Sequence, residues 1–208
     1  MLSIRYATIS PLKHSSFADL PFSLHRLLFV HSRCYSSSTG PSFSYRISAA
    51  YSAKKEPLDL IRNSQLHNPA VVSTALISSG LAAAERKLLR PKSGQDAFFL
   101  SNINASKVVA FGVIDGVGGW EESGIDPSNF SHTLGEYLTK FAIEHSESAP
   151  IRPRDLLNLA YEAVQADQNV FAGGSTACIA TASPAGTIEV AKYVSNAFHW
   201  IPLVYIDN

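Results

Sequence analysis

Apolar positions along the chain change their period several times, and each change marks an element. Phe43-Ser44-Tyr45-Arg46-Ile47-Ser48 alternates apolar and polar residues, as a half-buried strand does. Residues 58–90 keep no clean period: Ala75–Leu89 is compatible with a helix, while its serines and Gly80 predict a segment broken by a loop. Just after Asp96, Ala97-Phe98-Phe99-Leu100 opens a strand, Ser101–Ser106 is a polar turn, and Lys107–Ile114 returns as the next strand. Within it, Val108 to Ile114 is continuously apolar, which reads as burial on both faces, and the run stops at Asp115. Asp126-Pro127 reads as an N-cap with proline at the first helical position. Phe130, Leu134, Tyr137, Leu138, Phe141 and Ala142 then recur at helical spacing, predicting a helix that ends near His145. Pro153 opens a second helix, Arg154 to Asp167, with Leu156, Leu157, Leu159, Ala160, Ala163 and Val164 as its apolar side. A strand of small residues within Ala172–Thr181, a turn at Ser183–Gly186 and a strand over Thr187–Ala191 complete the pattern. Strands with two consecutive helices predict an α+β domain in which an αα pair lies on one sheet face.

Composition alters this picture mainly at the front of the chain. Overall, 46% hydrophobic and 16% charged residues are ordinary for globular material, and the formal net charge of zero offers no basic field, so no nucleic-acid partner is expected. Cys34 and Cys178 are too far apart in sequence to form a disulfide framework or a CxxC metal site, which fits a reducing compartment; Cys178, inside ACIATA, is expected in the core. Before Glu56 the only acid is Asp19, whereas Arg5, Lys13, Arg26, Arg33 and Arg46 are scattered among many serines. That bias marks residues 1–40 as an organellar presequence and linker, with Arg33-Cys34-Tyr35 as the cut site. The arginines favour mitochondria over chloroplasts, and the matrix is the expected location. Leu24–Val30 is too short to cross a bilayer and carries Arg26, so no membrane span is expected.

Candidate chemistry gathers at the end of the buried strand. A carboxylate there is costly unless a cation or a set of donors offsets it, and Gly116-Val117-Gly118-Gly119 lets the backbone approach a ligand closely. Asp115-Gly116 by itself has two readings, a plain turn or a hard-oxygen site for Mg²⁺ or Mn²⁺. Asp96 precedes the neighbouring strand, so an antiparallel pairing would bring both carboxylates to one sheet end. The glycines lack the order of a dinucleotide fingerprint or a phosphate loop, and Ser175 has no nucleophile elbow. No Cys-x5-Arg arrangement is present, since Gly40 stands six residues after Cys34. Trp120 is expected to pack over the loop or line its rim, and His132 and His145 to be exposed helix residues.

Phe111–Trp120 (FGVIDGVGGW) followed by GIDPSNFS resembles the metal-dependent type 2C protein serine/threonine phosphatases, in their mitochondrial branch, where the usual wording is GVADGVGGW. The resemblance runs from Phe43 to Ala191 and includes Gly173-Gly174-Ser175-Thr176-Ala177. It implies a domain over 41–191 that is the N-terminal half of an αββα sandwich, two antiparallel sheets flanked by antiparallel helix pairs. It further implies two Mg²⁺ or Mn²⁺ ions bridging a water that attacks phosphoserine or phosphothreonine on a protein substrate; the sequence itself offers no coiled coil or tethering segment that suggests an oligomer, so a monomer is expected. Carried over position by position, the metal residues are Asp115, Gly116 and Gln95, and Asp96 binds metal-held water. The family's acidic pair is here Gln95-Asp96, so one ion should bind more weakly. Its phosphate-gripping arginine falls at Pro91; Lys92 offers only a point charge and also reads as a solvated turn residue.

After Ala191 the wording departs from the family, and residues 192–208 carry no acid where further metal ligands are expected. The reading is a non-family tail, from translated intron or alternative splicing, on a C-terminally truncated domain with impaired hydrolysis. The alternative is a noncatalytic isoform that binds a phosphoprotein without cleaving it.

Overall fold

The structure is a computed structural model that describes residues 43–54, 56, 59, 63–66, 76–104, 106–146 and 151–193. The presequence assigned to residues 1–40 lies outside the described residues, as does the tail beyond Tyr193. Among the described residues, two antiparallel sheets and three α-helices make an α+β chain. The short strands β1 (Ser48–Ala50) and β2 (Ser64–Leu66) pair with each other. The larger sheet runs β3-β4-β5-β6, formed by Ala97–Asn102, Val109–Gly116, Ser175–Ala182 and Ile188–Tyr193, every pair antiparallel. Helices α1 (Ala83–Leu89), α2 (Pro127–Glu144) and α3 (Pro153–Ala166) complete the set.

Local chemistry accounts for the helix boundaries. Asp126 caps α2 by accepting the Ser128 amide at 2.9 Å, and Pro127 occupies the first turn, where a missing N–H costs nothing. Pro153 plays the same part in α3. Gly80, at φ +75°, separates a 3₁₀ turn at Leu76–Ser78 from α1, so the stretch expected to be loop-broken is broken there.

One face of the larger sheet is covered by α2 and α3. Ala97, Phe99, Ala110, Ile114, Ala177 and Ile179 meet Leu134, Leu138, Leu156 and Val164 in a single core. Each fully buried leucine there contributes about 1.5–3 kcal/mol of burial free energy. At Gly135 an added Cβ would lie 3.3 Å from Ile114 Cδ1, so α2 sits close on β4. A buried charge network ties α1 to α2: Arg90 Nε pairs with Glu136 Oε1 at 2.7 Å, Arg90 Nη2 donates to Thr133 Oγ1 at 3.0 Å, and Arg86 stands 3.3 Å from Glu136 Oε2 without hydrogen-bond alignment.

Five expectations need correction. Residues 43–47 form no strand; Tyr45 is instead used as an anchor, its hydroxyl donating to the Ser183 carbonyl at 2.8 Å. Cys178 is exposed, because Ala177 and Ile179 point into the core and the two-residue period turns Cys178 to the other face. His132 is buried, for reasons given below. Strand β4 does not stop at Asp115 but continues through Gly116, whose ladder partner is Ser175. Strand β6 likewise runs past Ala191 into Lys192 and Tyr193, whose ring packs on Tyr161 with centroids 5.4 Å apart.

Candidate metal centre

The β3–β4 register decides where the acids go. Ala97 faces Ile114, so the next position outward sets Asp96 beside Asp115 at one end of the sheet. Their side chains interact directly. Burial first, and then the neighbouring Asp115 charge and hydrogen bond, push the Asp96 carboxyl above its usual range. The Gly116 amide partly opposes this by donating to the same carboxylate. Asp96 Oδ1 is buried and has no hydrogen-bond partner, while Asp115 opens to solvent. Two like charges side by side, one with an unsatisfied oxygen, repel each other unless a proton or a cation lies between them.

The glycines permit this approach. A Cβ on Gly116 would collide with the Gln95 carbonyl and sit 3.2 Å from the Pro127 carbonyl, so the backbones of the Gln95 loop and the end of β4 are in direct contact. A Cβ on Gly118 would stand 3.0 Å from Gln95 Oε1, which places the Gln95 amide over the glycine loop beside the carboxylates. That loop enters the 3₁₀ turn Gly118–Ser123 and is tied to β5 by Val117 N–H donating to the Gly174 carbonyl at 3.0 Å. Ser175, opposite Gly116, is fully buried and its hydroxyl lacks a partner.

The structure thus brings together Asp96, Asp115, Gly116 and Gln95. Lys92 is exposed on the preceding loop, and among the described residues no hydrogen bond or ion pair holds it to this cluster. Trp120 is half-buried on the loop. The donors present suit one divalent cation of hard-oxygen preference: two carboxylates, one of them with a free buried oxygen, and a neutral amide nearby. Among the described residues no group of three or more His, Cys, Asp or Glu converges, so no carboxylate set for a second ion is found there.

Sequence reasoning missed the residues that hold the Gln95–Asp96 peptide. Ser131 Oγ donates to the Gln95 carbonyl at 2.5 Å, His132 Nε2 lies 3.1 Å from the Gly94 carbonyl, and the Ser93 hydroxyl donates to the Asp96 carbonyl. Ser131 and His132 fall on the polar side of α2 by sequence, but the loop between α1 and β3 crosses that side and buries it. Only the Ser-Gly-x-Asp wording of that loop hinted at a turn demanding partners.

Comparison with known proteins finds partial similarity to protein phosphatases. The chain is 34% identical over 108 residues to the mitochondrial protein phosphatase 2C homolog 7 of Saccharomyces cerevisiae, covering 50% of this chain and 31% of that protein. It is 36% identical over 86 residues to the protein phosphatase PTC7 homolog of Homo sapiens, covering 41% of this chain and 27% of that protein. Over 184 residues it is 28% identical to the probable protein phosphatase 2C 80 of Arabidopsis thaliana, covering 86% of this chain and 38% of that protein. The chain therefore matches between 27% and 38% of the length of these relatives. No family model and no solved structure matches it. Beside the paired acids at the glycine loop stands, then, a partial similarity of this chain to protein phosphatase 2C proteins and, among them, to the PTC7 homologues.

Proposed function

We propose that the chain takes part in metal-dependent hydrolysis of phosphoserine and phosphothreonine on proteins, with Asp115 and Asp96 as its acidic centre. The observation that carries this reading is the direct contact of the two carboxylates at the β3–β4 end, where the Asp115 charge helps raise the Asp96 pKa and leaves a site that a cation would relieve. Mg²⁺ or Mn²⁺, once bound, would lower the pKa of water and stabilise charge on the phosphoryl oxygens. The chain's own residues have distinct parts. Asp115, exposed at the lip, faces the ligand side; Asp96, backed by the Gly116 amide, orients water; Gln95 contributes a neutral oxygen; Lys92 meets phosphate as a point charge. The αα pair on one sheet is read as one half of an αββα sandwich, in a monomer of the mitochondrial matrix.

With two acids converging among the described residues and an uncharged Gln95 beside them, metal binding should be weak and turnover slow. The test is phosphate release from a phosphoserine peptide by the 208-residue chain in Mn²⁺, with Asp115→Asn in parallel. Release that EDTA and Asp115→Asn both abolish is the expected result. Release unaffected by either one overturns the metal reading. The same sparse acid set favours a second reading, a module that docks a phosphoprotein without cleaving it; binding of the peptide with no release, retained in Asp115→Asn, would select it.

A further inference from the structure

The loop between α1 and β3 is pinned along the first turns of α2 by a run of side chains that the carboxylate chemistry does not use. Ser131 is fully buried, and its hydroxyl donates to the Gln95 carbonyl at 2.5 Å; its other carbonyl neighbours, Ser128 and Pro127, are at 3.3 and 3.4 Å. His132 is buried, with Nε2 3.1 Å from the Gly94 carbonyl and 3.5 Å from Ser93 Oγ, and the Asp96 carbonyl also faces the ring. Both are one turn or less from Leu134, which is wholly inside the core, so the helix that carries them is a rigid mount. On the opposite side, the Gln95 carbonyl lies against Gly116 with no room for a Cβ. The Gln95–Asp96 peptide is therefore wedged between α2 and the end of β4.

We propose that Ser131 and His132 are positioning residues that hold this peptide so that Asp96 meets Asp115, and so set the affinity of the centre for a divalent cation; this rests on the metal reading above. The side-chain donors fix the three successive carbonyls of Gly94, Gln95 and Asp96, and through them the direction in which Asp96 leaves the backbone. Two carboxylates share a cation only within a few tenths of an ångström of the right separation, so loosening the peptide weakens binding without removing a ligand. The carbonyl acceptors also require the His132 proton on Nε2.

The experiment is calorimetric titration of Mn²⁺ into the 208-residue chain and its Ser131→Ala, His132→Leu, His132→Gln and Val164→Ala variants, each with a melting curve. Ser131→Ala and His132→Leu are expected to raise the Kd about 10- to 100-fold. His132→Gln, whose amide nitrogen can replace Nε2 as donor, should stay within about threefold of the parent. Val164→Ala, in the core on α3, lowers the melting temperature and leaves the Kd unchanged. Should His132→Leu fail to fold, Ser131→Ala decides alone. Parent-like affinity in Ser131→Ala and His132→Leu overturns the positioning role while leaving the metal reading intact. An equal loss in Val164→Ala overturns it too, by showing a general effect of destabilisation. A parent chain that binds no Mn²⁺ refutes the metal reading and the positioning role together.

Discussion

At the start of α2, Asp126 accepts the Ser128 amide at 2.9 Å and the Lys87 ammonium at 2.5 Å, joining a helix cap to an ion pair with α1. Burial alone would raise its pKa, but the bonds to Lys87 and Ser128 outweigh that and bring it down to about 2. A carboxyl lowered by folding contributes stability above its unfolded pKa of 3.8 and loses it as the pH falls toward 2. Asp126→Ala should therefore cost about 1 kcal/mol at neutral pH, most of it from the cap, because the exposed Lys87 pair is screened by water and salt. Urea unfolding of parent and variant between pH 2 and 7 is the check: the gap should close through the acid range and shrink only partly in high salt. Asp126-Pro127 was readable without coordinates because a cap depends on neighbours in sequence. Ser131 and His132 were not, because what they bond to lies 36 and 38 residues away.

Among elements, β4 and β5 approach each other closely at Gly112. A Cβ on Gly112 would stand 2.6 Å from Ile179 Cγ2 and 2.7 Å from the Cys178 carbonyl, so Gly112→Val overpacks the centre of the sheet. The expected loss is about 1–3 kcal/mol, against about 2–5 kcal/mol for the cavity left by Leu138→Ala in the fully buried stripe of α2. Denaturant midpoints of the two variants measure both; a Gly112→Val chain as stable as the parent would mean the strands do not pack this tightly. Both long helices end within a residue of where their apolar spacing and prolines put them. The four strands of the larger sheet were legible as elements, but their ends were not: β4 and β6 run on by hydrogen bonding to β5, through Gly116 opposite Ser175 and Tyr193 opposite Ala177. Local composition carries no record of such a partner. Cys178 was misplaced for a related reason, since a run of small and apolar residues without polar alternation around the cysteine does not say which face its side chain takes.

For the whole molecule, a cation that binds the folded chain and not the unfolded one must stabilise it by mass action. Mn²⁺ at a hundred times its Kd contributes about 2.7 kcal/mol, which for a chain of this size corresponds to a rise on the order of 5–10 °C in melting temperature. Asp115→Asn should abolish that rise; a melting temperature indifferent to Mn²⁺ in the parent would contradict a metal centre here. Among the described residues no helix is long and apolar enough to cross a membrane.

By itself the sequence determined α2 and α3, the cores of the four strands in the larger sheet and the resemblance written in Phe111–Trp120, because periodicity, capping and a glycine-rich loop are properties of neighbouring residues. The tertiary structure alone decided that Asp96 meets Asp115, that Gln95 folds over Gly118, and that α2 supplies the donors holding both in place. These contacts depend on register and on the crossing of a loop over a helix, which are set by the packing of segments far apart in the chain.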